Sequence, residues 1–320
     1  MSKMRHRTHK FAPIPQVVII KAKNDFPKFC EFESFVNNYK DRIHLNSDIN
    51  IYSEIKEDKN FKIMLNIDKI IDDGLKNNEF VVYYQPIYNV KDKKFYSAEA
   101  LVRLISKEYG FISPGFFIPA AEQSGRVVDI DKFVFDSVCE FIASDEFKKS
   151  GLKYIEVNFS MLDCIRVNLY DEIVETMNRF GITPDTINIE ITESYDHLNG
   201  DVAKENLEKL REYGFKFSLD DYGTGYSNIK RFSILPISYV KIDKSLVDSS
   251  ADEKMQIVLK NTFKLIKSLS RKTIIEGIET EEQAKRFIDF ECDNIQGYYY
   301  SKPLGQADFV SFLYEKNEIE

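Results

Sequence analysis

Short apolar runs and longer amphipathic stretches alternate along the chain from about residue 78 onward. The short runs are rich in β-branched and aromatic residues, which predicts strands, whereas the amphipathic stretches predict helices. The predicted strands are Phe80–Tyr84, Ala98–Leu104, Tyr154–Asn158, Ile187–Ile191, Phe215–Leu219, Tyr239–Ile242, Thr273–Ile275 and Ile295–Tyr300. The predicted helices include Asp129–Ser144, Tyr170–Phe180, Val202–Tyr213, Asp252–Leu269 and Thr280–Phe290. This alternation is typical of βαβ units and a largely parallel sheet.

The number of predicted strands indicates how the sheet is closed. Eight runs within about 240 residues favour a (β/α)₈ barrel over an open sheet. Only the short segment Tyr88–Tyr96 separates the first two runs, which is too little chain for a helical crossover. A hairpin is the simpler connection, so one strand is expected to be antiparallel. The predicted fold class is therefore α/β, a modified TIM barrel with one antiparallel strand.

The residues before the barrel have a different character. Residues 1–60 combine strand-like segments with the helical pattern Phe29–Ile43, which predicts a small N-terminal α/β extension. A charged stretch at 61–78 predicts a linker helix, and 79–320 is assigned to the barrel. The extension is either the remnant of an upstream α/β domain or an element that packs on the barrel. Both readings stay open, and we assign it no function.

Composition limits the cellular setting. Hydrophobic residues make up 43% of the 320 residues and charged residues 30%, which is ordinary for a globular protein. No apolar run approaches the roughly 20 residues that span a bilayer, and the basic N-terminus is not followed by a signal-peptide core. The cysteines are scattered, without a CxxC pair, which favours reduced thiols and a cytoplasmic location. They are Cys30, Cys139, Cys164 and Cys292.

The net charge of −8 argues against a polymeric nucleic acid as partner, because such partners usually select a basic surface. An acidic protein can still bind a small anionic substrate if metal ions supply positive charge. Charge therefore leaves a nucleotide substrate open.

Polar residues end or interrupt most of the predicted strands, where a charge is costly unless it is paired, metal-bound or exposed. In a TIM barrel these positions converge on one mouth. Five carboxylates there would repel one another without a counterion, and hard oxygen ligands suit Mg²⁺ or Mn²⁺ better than zinc. Adjacent aspartates also suit two divalent ions that share a ligand. The residues are Glu99, Asn158, Glu190, Asp220, Asp221, Lys241, Glu276 and Gln296.

Taken singly, most of these residues have an ordinary structural interpretation. Glu99 could lie at a strand edge, Asn158 could cap a turn and Gln296 could be a turn residue. The pair Asp220–Asp221 before YGTG is harder to explain by packing. The joint occurrence of all of them at one periodic position favours a site.

Nine ordered segments carry a family resemblance across roughly residues 70–310. They are YYQPIYNV, AEALVRL, SPGFFIPAAEQSGRV, VNFS, IEITES, LDDYGTGYSN, VKIDKSLV, IIEGIETEEQAKRF and IQGYYYSKPL. In these segments the chain resembles an EAL-domain protein. The resemblance implies a modified TIM barrel that hydrolyses one phosphodiester bond of cyclic di-GMP to give linear pGpG.

The resemblance also implies a role for each matched residue. Glu99, Asn158, Glu190 and Asp220 would hold one divalent ion, Mg²⁺ or Mn²⁺. Asp220 and Asp221 would hold a second ion, with Glu276 nearby.

Other matched residues would act on water, substrate or a partner. Lys241 would orient the attacking water, Glu276 would be the general base, and Gln296 would support the water and the metal shell. Gln85 and Arg103 would contact the substrate. Glu193 would anchor the loop Asp221–Asn228, which in this family couples metal binding to dimerisation, so a homodimer is expected.

Departures from the family pattern are few. Tyr222 stands where DDFG is usual, and Leu104 replaces an aromatic residue, which would remove a packing surface at the mouth. Ile275 replaces alanine and is expected to face the barrel layers. The alternatives are a catalytically silent cyclic di-GMP receptor and a purely structural partner-binding module. No GGDEF-type motif is present, so synthesis of cyclic di-GMP is not predicted.

Overall fold

The computed structural model describes residues 59–192, 201–223 and 237–318. The predicted N-terminal extension lies outside the described residues, apart from its last two positions. The strands are β1 Phe80–Asn89, β2 Lys94–Ser106, β3 Gly110–Ile112, β4 Tyr154–Asn158, β5 Ile187–Thr192, β6 Lys216–Tyr222, β7 Ile237–Ile242, β8 Lys272–Ile275, β9 Asn294–Ile295 and β10 Leu304–Gly305. The helices are α1 Lys59–Leu65, α2 Ile67–Lys76, α3 Pro114–Ser124, α4 Val127–Ala143, α5 Asp145–Lys149, α6 Met161–Cys164, α7 Leu169–Phe180, α8 Asp201–Tyr213, α9 Lys244–Asp248, α10 Glu253–Ser268, α11 Glu281–Asp289 and α12 Gln306–Asn317. Two 3₁₀ turns lie at Pro184–Thr186 and Ser249–Ala251.

Eight of the described strands close into a barrel in the order β1, β2, β4, β5, β6, β7, β8, β9, with β9 returning to β1. The pairs from β2–β4 to β8–β9 are parallel, whereas β1 is antiparallel to both β2 and β9. The predicted hairpin and the single antiparallel barrel strand are thus confirmed. Strands β3 and β10 are short antiparallel additions outside the closed ring.

The two faces of each strand have opposite chemistry. On β4 and β5, Ile155, Val157 and Ile189 face the helices and join one large buried apolar cluster. The alternate positions carry Glu156 and Glu190, which lie inside the barrel because side chains alternate along a strand. Burial of apolar surface between strands and helices therefore stabilises the barrel, while its interior is left for polar groups.

The five predicted helices are present to within two residues, but others were not predicted. Helix α3 carries two boundary signals, because Pro114 is at its first position and Gly125 ends it in the left-handed conformation at φ 78°. The final predicted strand is shorter than expected, since only Asn294–Ile295 pairs before the chain turns. None of the helices in the described ranges has the length and apolar character needed to cross a bilayer.

The charged stretch before the barrel forms two helices, α1 and α2, instead of one. They meet at Asn66, and the buried Ile63 and Ile71 pack in a cluster with Phe80 and Leu104 of the barrel. This segment is therefore held by apolar contacts to β1 and β2, as well as by its covalent connection.

Gly297 allows two loops to approach closely at the end of β9. An added Cβ would lie 2.1 Å from the carbonyl oxygen of Ile278 and 2.4 Å from its nitrogen. Ile278 N also donates a hydrogen bond to the carbonyl oxygen of Gln296 at 3.2 Å. The backbone contact thereby fixes the position of Gln296.

We predict that Gly297→Ala lowers the free energy of unfolding by about 1–3 kcal/mol or more, because backbone atoms must move apart. Gly115→Ala is the matched control, since its added Cβ meets only Ser113 Oγ at 3.7 Å. The control should be neutral or slightly stabilising, because alanine is the better helix former. Urea unfolding of both variants checks this, and equal stability of the two would contradict it.

Candidate metal and catalytic site

Lys241 on β7 lies at the centre of the barrel and is fully buried. Among the described residues, five carboxylates lie within 4.0 Å of its Nζ atom. The distances are 2.7 Å to Glu276 Oε1, 3.3 Å to Glu99 Oε2, 3.7 Å to Asp220 Oδ1 and 3.9 Å to Glu156 Oε2, and Glu190 Oε1 is also in contact. The acids come from β2, β4, β5, β6 and the end of β8, so the ring of charge depends on the closed barrel.

A chain of amides orients Glu99. Asn158 Nδ2 donates to Glu99 Oε1 at 3.0 Å, and Gln296 Nε2 donates to Glu99 Oε2 at 2.6 Å. Gln296 also donates to Gln85 Oε1 at 3.1 Å, and Gln85 in turn donates to the carbonyl oxygen of Ser301. These bonds hold both oxygens of Glu99 in place.

Asp220 and Asp221 both reach the site because the backbone of β6 is irregular there. Neighbouring side chains on a regular strand point to opposite faces. Here the β6–β7 register shifts between Leu219 and Tyr222, and Asp221 has a left-handed φ of 57°. One oxygen each of Asp220, Asp221 and Glu276 then lie within 4.8 Å of one another. This spacing suits a metal ion.

The interior modifies the pKa values of the acids in different directions. Burial alone would raise the pKa of Glu99, but the Lys241 ammonium and the amide hydrogen bonds outweigh it and lower that pKa. Burial and the charge of Glu99 raise the pKa of Glu190 well above its usual range. Burial raises the pKa of Glu276 to about 8, an effect that Lys241 offsets only in part. The site therefore carries more acid groups than one ammonium can balance.

The donor set fits hard divalent cations. Carboxylate and amide oxygens are the ligands that Mg²⁺ and Mn²⁺ prefer. Within the described residues, Oε2 of Glu190 and Oδ1 of Asp220 are buried without a hydrogen-bond donor. Buried acceptors of this kind are costly unless a cation or a donor satisfies them.

The two described residues that were predicted to contact substrate lie in different surroundings. Gln85 is part of the amide chain, whereas Arg103 lies four residues beyond Glu99 on β2 and is half-buried. Its Nη1 donates to the carbonyl oxygen of Val102, and its guanidinium carbon lies 5.9 Å from the centre of the Tyr83 ring. Glu193 and residues 224–228 of the predicted loop lie outside the described residues.

Sequence reasoning missed Glu156. Strand alternation could have found it, because Glu156 lies two residues before Asn158 in YIEVN and must share its face. Its carboxylate is fully buried. The polar interior therefore extends deeper than the mouth.

Two of the departures from the family pattern, Ile275 and Leu104, belong to apolar clusters outside the polar interior. Ile275 belongs to the apolar cluster between strands and helices, so it does not face the barrel layers as expected. Strand alternation explains this, because the neighbouring Ile274 takes the inward position. Leu104 is fully buried beneath α2, in one apolar cluster with Phe80 and Phe117.

A mixed eight-stranded barrel with acids converging at its mouth defines a TIM-like protein with a candidate metal site. Residues 68–303 match the family model described as EAL domain. The chain therefore belongs to the EAL-domain family.

Two relatives are about one third identical to this chain over the aligned residues. The chain is 31% identical over 255 residues to the signaling protein YkoW of Bacillus subtilis, which covers 79% of this chain and 32% of YkoW. It is 32% identical over 269 residues to the probable cyclic di-GMP phosphodiesterase PdeG of Escherichia coli, covering 82% and 52%. The chain thus spans about a third to a half of the length of these relatives.

Solved structures share the barrel. The PaMucR phosphodiesterase in its c-di-GMP complex has a TM-score of 0.72 at 28% identity, covering 76% of this chain and 99% of that one. An EAL-domain protein from Listeria monocytogenes has a TM-score of 0.68 at 27% identity, covering 79% and 98%. These similarities extend over nearly the whole of both solved chains.

The excess of buried acid predicts a pH dependence for the metal-free protein. The pKa of Glu276 is about 8 in the folded state against an ordinary 4.5, so the folded state keeps a proton that the unfolded state loses. Its contribution is complete below about pH 4.5 and is lost as the pH rises towards 8, with a slope of at most about 1.4 kcal/mol per pH unit. Glu190 and Asp220 shift in the same direction.

We therefore expect the free energy of unfolding in EDTA to fall between pH 5 and pH 8, and Glu276→Gln to reduce the slope. Urea unfolding at several pH values measures the slope of this free energy against pH. The control is Glu315→Gln, a change at an exposed position. Stability that stays level or rises across this range would contradict the prediction.

Proposed function

We propose that the chain is a cyclic di-GMP phosphodiesterase that opens one phosphodiester bond to give linear pGpG. The observation that carries the proposal is the buried Lys241 ringed by five acids from β2, β4, β5, β6 and the end of β8, in a chain of the EAL-domain family. The names of PdeG and of the solved PaMucR complex support cyclic di-GMP as the substrate.

Two divalent cations, Mg²⁺ or Mn²⁺, are proposed as cofactors. Glu99, Asn158, Glu190 and Asp220 would hold one of them, and Asp220 with Asp221 the other. Bound there, the cations would supply positive charge that lowers the pKa of water and offsets the charge of the phosphate oxygens.

The remaining polar groups would handle water. Lys241 would orient the attacking water from inside the barrel, and Glu276 would accept its proton. A carboxylate with a pKa of about 8 in the metal-free state has the basicity that a general base needs near neutral pH. Gln296 already donates to Glu99, so it would hold this ligand in place for the water.

Substrate contacts are proposed for Gln85 and Arg103. A guanidinium can donate two parallel hydrogen bonds to a phosphate, and Arg103 lies on the same strand face as Glu99. Its current partner is a single carbonyl oxygen, that of Val102, which leaves further donors for a ligand. Glu193 is proposed as the anchor of the loop Asp221–Asn228.

The cellular setting is also a proposal. Cys139, Cys164 and Cys292 are buried free thiols. Reduced thiols of this kind are usual in the cytoplasm, where we place the activity.

We predict that the wild type converts cyclic di-GMP to pGpG only when Mg²⁺ or Mn²⁺ is present. Glu99→Ala should lower kcat by at least about 100-fold, since one strong electrostatic contact is removed from the site. Glu212→Ala, an exposed change on α8, is the matched control and should keep wild-type activity. Product formation is followed by chromatography.

Two outcomes would contradict the proposed enzyme and favour one of the alternative functions. Tight nucleotide binding without turnover would identify a receptor instead of an enzyme. Neither binding nor turnover would favour a structural partner-binding module.

Dimerisation is a separate prediction. We expect a homodimer that forms near the loop Asp221–Asn228, on the family resemblance alone. Light scattering at micromolar concentration measures the mass, and a fully active monomer would contradict the prediction.

A further inference from the structure

Glu156 has no part in the function proposed above, although it contacts the central lysine. It precedes Asn158 by two residues on β4, so both side chains point into the barrel and Glu156 lies deeper. Its side chain is completely buried. A buried carboxylate is costly unless its partners are well placed, so its contacts need an explanation.

Two polar side chains hold one oxygen of Glu156. Asn188 Nδ2 donates to Glu156 Oε1 at 2.7 Å, and Ser218 Oγ donates to the same atom at 3.1 Å. Asn188 Nδ2 also donates to Ser218 Oγ at 2.6 Å. The three residues lie on the adjacent strands β4, β5 and β6, so the position of this carboxylate is set by the barrel itself.

The other oxygen faces Lys241. Glu156 Oε2 lies 3.9 Å from Lys241 Nζ, and the Glu156 carboxyl also interacts with the side chain of Glu190. An oriented carboxylate close to a buried ammonium attracts it, since the surroundings exclude water.

The other acids around Lys241 have competing roles. Glu99, Glu190 and Asp220 are proposed metal ligands, and Glu276 is the proposed base. Each would share its charge with a cation or a proton during turnover. Glu156 is the one acid of the five to which the proposed function gives no metal or proton, and its Oε2 atom lies 3.9 Å from Lys241 Nζ.

We infer that Glu156 is a positioning residue that holds the Lys241 ammonium in place beneath the reacting groups. This inference rests on the proposed phosphodiesterase function. It concerns the placement of Lys241, and Glu156 itself does not touch the substrate.

The kinetic test uses Glu156→Gln in two backgrounds. The change keeps the shape and the acceptor for Asn188 but places an amide beside Lys241. We expect kcat to fall by about 10- to 100-fold, the size that a misplaced catalytic group produces, with KM within about twofold. In a Lys241→Met background the same change should alter the residual rate by less than about twofold, since contacting residues are not additive. Glu156→Asp should recover part of the loss.

A second measurement does not depend on activity. In metal-free protein labelled with ¹⁵N-lysine, the Lys241 ammonium signal is assigned by its loss in Lys241→Met. Glu156→Gln should shift or broaden this signal. Ser97→Ala, a small change at another buried interior position on β2, is the control and should leave it unchanged.

The outcomes separate the inference from the proposed function. An inactive wild type would overturn the phosphodiesterase, while the ammonium signal would still decide whether Glu156 holds Lys241. Active wild type with an unchanged ammonium signal in Glu156→Gln, or an equal loss of rate in both lysine backgrounds, would overturn the inference alone. Thermal unfolding shows that each variant is folded.

Discussion

The structure depends on one electrostatic constraint, the burial of the Lys241 ammonium inside a barrel lined with carboxylates. A charge in this position has no water to solvate it, so it can exist there only with acids around it. Burial lowers the pKa of Lys241, but the surrounding carboxylates outweigh burial and raise it well above its usual value. The ammonium therefore stays charged, and the acids remain in excess. That excess is the physical basis of the divalent-cation site proposed at the mouth.

The topology of the barrel determines which polar groups lie beside the acids around Lys241. The antiparallel hairpin pairs Gln85 with Glu99 in register, so an amide from β1 lies beside the carboxylate of β2. Gln296, at the end of β9, then bridges the two across the closure of the barrel. A helical crossover between β1 and β2 would make them parallel and change this register. The antiparallel strand β1 therefore supplies an acceptor, Gln85 Oε1, that holds the Gln296 amide beside Glu99.

Much of the fold and of the candidate site could be predicted from the sequence. The parts that could not be predicted were missed for physical reasons. Periodicity located the strands, and the short segment after β1 indicated the hairpin, because both signals are local. The convergence of Asp220 and Asp221 could not be derived from alternation, which would separate them, since it depends on the bulge and the left-handed Asp221. Glu156 was missed because the rule applied considered only strand ends. Contacts such as Asn188 with Glu156 arise only when the strands are closed into a ring.

Apolar residues below the acids explain how polar groups can be buried near the mouth while the barrel stays packed. Two residues deeper than Lys241 and Glu276, the inward positions are Tyr239 and Ile274. They form a separate apolar cluster with Ile87, and Tyr154 packs against it. This cluster fills the barrel below the acids and excludes water from that side, so the field of the carboxylates is weakly screened there and open only at the mouth. The proposed cations and substrate would therefore approach only from the mouth, and the fully buried Glu156 lies beside Lys241 away from solvent.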